Sequence, residues 1–164
     1  MHNTIYMISE KPIINDSFDI DDTWFVREIC DWYDIVKYKA ASHFADMYFS
    51  LSPKFEHEGD KLTVTFPEEM LKLWRRCEYK SLSEAIQNLY EKVSDGRLKE
   101  TFINGGDECL YDVDVCTIQD VALGIRYGDY VMFKDEIMPM NTFLRVVRPN
   151  KKYYISHDII DYNW

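Results

Sequence analysis

The sequence predicts an α+β fold: a helical N-terminal two thirds with a short strand pairing, then a β-rich C-terminal third. Three observations carry this reading. Apolar residues recur every three or four positions through Phe25, Ile29, Trp32, Val36, Ala40, Phe44, Met47 and Leu51, the spacing of one helical face. A proline-led segment with an internal capping box fills 67–94. After "INGGDE" short alternating runs replace the helical period. The 164 residues, 46% hydrophobic and 15% aromatic, have the material for one compact domain over 1–164, with sub-regions 1–60, 61–99 and 100–164.

In chain order, "TIYMISEKPII" reads as a strand, and Pro12 places it near a sheet edge. The polar run "NDSFDIDDT" leads to a helix over 23–51, capped by Asp22 or Thr23 and stopped at Ser52–Pro53. A break near "KYKAAS" would divide that helix in two. "EHEGDK" is a turn, and "KLTVTF" is a strand with Leu62, Val64 and Phe66 on one face. Pro67, Glu68 and Glu69 suit the start of a helix carried by Met70, Leu71, Trp74 and Cys77. Ser81-x-x-Glu84 then opens a second helix with Ile86, Leu89, Tyr90 and Val93 on its apolar face, ended by Gly96. "CLYDVDVC" alternates as a strand, and "TIQDVALG" is a short helical turn. "YGDYVMFKDEIMPM" gives two strands joined at "KDE". "NTFLRVV" is a short helix or strand, and "KKYYISHDIIDYNW" is the final strand.

Composition narrows function. The start lacks the basic n-region and apolar run of a secretory signal, and no stretch reaches the roughly 18 apolar residues that span a bilayer, so a cytoplasmic protein without membrane contact is expected. Cys30, Cys77, Cys109 and Cys116 are scattered, the pattern of reduced thiols that mostly fill the core. The net charge of −10 is uneven. Residues 1–53 hold four Lys or Arg against nine Asp or Glu, residues 54–99 nine of each, and residues 100–164 six against eleven.

Two acidic clusters stand out. Asp16, Asp19, Asp21 and Asp22 share one loop, while Asp107, Glu108, Asp112 and Asp114 lie on or beside one strand. The first lacks the spacing of a calcium loop, and no histidine or lysine motif completes a two-metal site. A solvated, solubilising surface accounts for them, as does a phosphate-mimicking patch that docks on a basic protein groove. Hydrolase, P-loop, dinucleotide and zinc-protease motifs are missing. His2, His43, His57 and His157 are dispersed, and His43 with Asp46 on one helical face reads as a surface contact. No catalytic residue, cofactor or metal is expected.

Residues 61–94 resemble the ribbon-helix-helix family of dimeric DNA-binding proteins. The resemblance implies that Lys61, Thr63 and Thr65 point outward from a strand paired with a second chain. It also implies that Lys80, Ser81 and Ser83 lie where the second helix begins and meet phosphate. The turn between the two helices lacks the family's glycine, and plain strand-helix-helix packing is the competing reading. Residues 125–147 are similar to a C-terminal pattern of small phage proteins through Gly128, Asp129, Tyr130, Pro139 and Phe143, and the pattern implies a small β-unit followed by a helix.

Together these readings favour a non-catalytic acidic binding protein of a phage or other mobile element. By analogy with acidic anti-restriction and anti-CRISPR proteins, it would inhibit a nucleic-acid-handling defence protein by covering its basic surface. A homodimer through 61–94 is compatible with this. The alternatives are a ribbon-helix-helix-like regulator and, third, a metal-dependent hydrolase.

Overall fold

The computed structural model describes residues 2–14, 20, 24–28, 30, 32–47, 52–104, 114–118 and 129–163. Its elements follow in chain order as β1 (His2–Ser9), α1 (Trp24–Glu28), β2 (Trp32–Val36), α2 (Ala40–Met47), β3 (Lys54–Glu58), β4 (Lys61–Thr65), α3 (Glu68–Ser94) and α4 (Arg97–Asn104). A short helix, α5, covers 114–118. Then come β5 (Tyr130–Phe133), β6 (Glu136–Pro139), α6 (Met140–Val146) and β7 (Lys152–Asn163). The chain forms two compact units, Met1–Lys72 with Tyr127–Trp164, and Leu73–Arg126.

The first unit is built on a mixed sheet of seven strands in the order β3-β4-β7-β1-β5-β6, with β2 also on β7. Among the described residues β1 and β5 run parallel and the other pairs are antiparallel. The 12-residue β7 is the spine. One edge pairs with β1, from His2↔Asn163 to Ser9↔Tyr154. The other edge is shared, with β4 on Lys152–Ile155 and β2 on Ile159–Asn163.

Register separates two faces. Ile5, Ile160 and Tyr162 share one, where Phe25 of α1 meets the rings of Tyr130 and Tyr162 at 4.8 Å each. Tyr6, Ile159, Val64 and Tyr153 share the other, under α2 and α6. There Phe44 packs on Tyr6 at 5.0 Å and Phe143 on Phe66 at 5.6 Å, with tilted or edge-on rings. Edge-to-face packing matches the positive ring edge to the negative ring face and adds to the area buried.

Turn chemistry joins the strands. Gly59 turns β3 into β4 with φ of 64°. Lys134 and Asp135, with φ of 55° and 63°, make the paired left-handed turn that a tight β5–β6 hairpin requires. Asn150 holds the start of α3 from far along the chain: its backbone N–H donates to Phe66 O at 2.9 Å, and its side-chain oxygen accepts from Glu68 N at 3.3 Å.

The second unit takes α3 from Leu73 onward, with α4 and α5. Asp114 is only 6% exposed, and its carboxylate accepts from Lys92 Nζ at 2.7 Å and from Asn88 Nδ2 at 3.2 Å. Gly96, with φ of 83°, ends α3.

The predicted fold class needs correction. Strands run through the chain from its N-terminus, and they build one extensive sheet in place of a helical two thirds with a short pairing. The long helix over 23–51 is not formed: β2 separates α1 from α2. "WYDIV" is aromatic and β-branched, and β2 satisfies backbone groups of β7 that β4 leaves open. β1 is interior, between β7 and β5, because it ends at Ser9 and Pro12 never enters the ladder. Residues 114–116, read as strand, lie in α5.

Candidate functional site

A cleft of about 350 Å³ opens on the α2 side of the sheet. Three neighbouring strands supply its floor, through Thr4 of β1, Ile159 and Asp161 of β7 and Val36 of β2; the register sets Thr4 opposite Asp161 and Val36 opposite Ile159. Its wall is the start of α2 with Lys39, Ser42 and His43. A concave site of this volume suits a small ligand.

His43 is the structural centre of the cleft. Its Nδ1 lies 2.5 Å from the Tyr6 hydroxyl and its Nε2 3.4 Å from Thr4 Oγ1. Thr4 donates its backbone N–H to Asp129 Oδ1 at 2.9 Å. One direction satisfies both ring nitrogens: Tyr6 O–H to Nδ1 and Nε2–H to Thr4 Oγ1. Buried polar groups persist when each finds such a partner. Burial raises the Asp129 pKa above the ordinary value of 3.8, while the bonds from Thr4 and the nearby His43 oppose that shift. Tyr162, on the opposite face, is also pushed up, chiefly by burial and then by Tyr130.

Both signs of charge line the cleft, with Lys39 on the wall and Asp161 on the floor. A nucleophile is not prepared at Ser42, whose hydroxyl donates to Lys39 O at 3.1 Å. Among the described residues no group of three or more His, Cys, Asp or Glu could hold a metal ion.

Comparison of the chain with protein-family models, curated proteins and solved structures found no match.

The residues expected from the ribbon-helix-helix resemblance do not form a DNA-reading ribbon. β4 has β3 on one edge and β7 on the other, so no edge remains for a second chain. Thr63 is 1% exposed, and its hydroxyl donates to Glu56 O at 3.0 Å. Thr65 is half-buried, and Lys61 pairs with Asp60 at 3.5 Å. The expected second helix start does not exist: Lys80, Ser81 and Ser83 are exposed in the middle of the continuous α3. With no glycine in the way, Lys72–Glu68 and Lys80–Glu84 pairs support α3 one turn apart.

Asp114 leaves the acidic surface, because it is buried against Lys92. Asp16, Asp19, Asp21, Asp22, Asp107, Glu108 and Asp112 lie outside the described residues. Thiols are not uniformly core-filling either: Cys77 is exposed, while Cys30 is half-buried and contacts Trp32 O at 3.2 Å. Sequence reading missed Thr4, Tyr6 and Asp161 as site residues, and found Asp129 only through the phage-like pattern. Thr4 and Asp129 are 125 residues apart, and no local spacing announces that meeting. No described helix is long and apolar enough to cross a membrane.

Proposed function

We propose that this protein is a non-catalytic acidic binding protein of the cytoplasm, which docks on the basic surface of a nucleic-acid-handling protein and competes there with nucleic acid. One observation carries the reading. The net charge of −10 is uneven along the chain, with balances of −5 over residues 1–53, zero over 54–99 and −5 over 100–164. The acidic stretches hold Asp16, Asp19, Asp21 and Asp22 in one short segment of sequence and Asp107, Glu108 and Asp112 in another. Carboxylates concentrated in two short segments suit electrostatic docking on a cationic groove. An inhibitor of a host defence enzyme fits this chemistry, and origin in a mobile element accords with it.

The experiment pairs capture with neutralisation. The full chain, immobilised, is expected to retain basic nucleic-acid-binding proteins at low salt and to release them as salt rises. It should not shift duplex DNA. Changing Asp16, Asp19, Asp21 and Asp22 to Asn, with Asp107→Asn, Glu108→Gln and Asp112→Asn, should weaken capture by about tenfold or more. Unchanged capture and salt dependence in the neutralised chain would defeat the reading.

A further inference from the structure

His57 of β3 and His157 of β7 lie far apart in sequence and meet on the first unit, their ring centres 5.7 Å apart and their planes 21° apart. Strand register accounts for the meeting. His57 stands opposite Leu62 of β4, Leu62 stands opposite Ile155 of β7, and His157 follows Ile155 by two positions. The β4 ladder on β7 ends at Ile155 and the β2 ladder begins at Ile159, so His157 occupies the gap between the two partner strands.

The His157 ring is held in one tautomer. Its Nε2 lies 3.0 Å from the backbone oxygen of Asp60, in the turn between β3 and β4. A carbonyl can only accept, so Nε2 carries the hydrogen, and in the neutral ring Nδ1 keeps its lone pair. Metal-binding imidazoles are oriented in this way, one nitrogen donating to a carbonyl while the other faces the ion. His57 is exposed, and its ring nitrogens have no hydrogen-bond partner among the described residues. The spacing fits as well. With Zn–N bonds of about 2.0 Å each ring centre lies about 3.2 Å from the ion, and two rings at a roughly tetrahedral angle hold their centres about 5 to 6 Å apart. The observed separation falls within that range.

We propose that His57 and His157 together bind one divalent transition-metal ion of the zinc class, with water completing its coordination. Ions of this class favour imidazole nitrogen, whereas calcium and magnesium take oxygen donors, so the site selects Zn²⁺ over those two. Two protein ligands make a weaker and more open site than the sets of four that close a structural zinc centre. The bound ion links the β3–β4 hairpin to β7 through side chains, beside the point where their backbone ladder stops. This site is independent of the acidic segments that carry the docking reading.

Titration of the full chain with zinc chloride at neutral pH, followed through the imidazole NMR signals, tests this. The signals of His57 and His157 should move together. Those of His43, whose two ring nitrogens are engaged by Tyr6 and Thr4, should stay in place. Magnesium chloride should move neither set. His57→Ala, at an exposed position where circular dichroism should be unchanged, is expected to weaken zinc binding by about tenfold or more, and His157→Gln to do the same. The double variant should lose little beyond either single one, because both ligands serve one ion. Cys77→Ser should leave binding as it is. Imidazole signals unmoved at about 1 mM Zn²⁺, or binding that survives His57→Ala unchanged, would overturn the site. Loss with His57→Ala but not with His157→Gln would overturn the pairing of the two rings, and equal shifts with magnesium would overturn the class of ion.

Discussion

At the scale of single residues, the polar chain from Tyr6 through His43 and Thr4 to Asp129 shows how a hydroxyl and a carboxylate are accommodated against a packed sheet. Tyr6 is wholly buried, and its ring packs on Phe44 while its hydroxyl reaches His43. Asp129 bears the cost of desolvation, which raises its pKa above 3.8. The native state therefore holds this proton more tightly than the unfolded chain does. The group's favourable contribution is complete below 3.8 and is lost as pH rises through the raised native value. Asp129→Asn keeps an oxygen to accept from Thr4 N and removes the charge. Denaturant titrations at a series of pH values above 3.8 should show a shallower loss of stability with rising pH in Asp129→Asn than in the parent. Equal slopes would mean that the carboxyl is not the source. Nothing in the local sequence marks this chain of groups, because its members come from β1, α2 and the approach to β5.

Secondary-structure elements show both what local pattern decides and where it fails. The β5–β6 hairpin, the end of α3 at Gly96 and the terminal strand lie where the sequence pattern puts them, since turn residues and alternation act over a few positions, while the segment left open as helix or strand is the helix α6. β2 does not: steps of three and four through Trp32 and Val36 fit a helix, but a strand was needed on β7. β4 is instructive in another way. Alternation assigns Thr63 to an open face, yet tertiary neighbours bury it. Thr63→Lys should therefore cost about 3 kcal/mol, since an ammonium would be buried without a partner, while Thr65→Lys at a half-buried site should cost less than about 1 kcal/mol. Urea midpoints of the two variants measure the difference; similar values would mean that Thr63 faces water, as a ribbon would have it.

At the scale of the whole molecule, pairing order decides which backbone is most protected. In the first unit β7 has neighbours along both edges, whereas among the described residues β3 and β6 each have one neighbour. Hydrogen exchange should be slowest for amides of β7 around Ile159–Tyr162 and the facing β1, and faster in β3 and β6. The reverse order would contradict the topology.

By itself the sequence determined the local signals: the turns, the helix stop, the alternating C-terminal runs and the distribution of charge. Only the tertiary structure decided that β1 is interior, that β2 is a strand, that α3 is unbroken and that His43 meets Tyr6 and Thr4. The physical reason is that strand pairing is made by backbone N–H and C=O groups, which every residue but proline carries alike. Which strand lies beside which is therefore settled by non-local backbone satisfaction and by burial, and neither leaves a periodic trace in the chain.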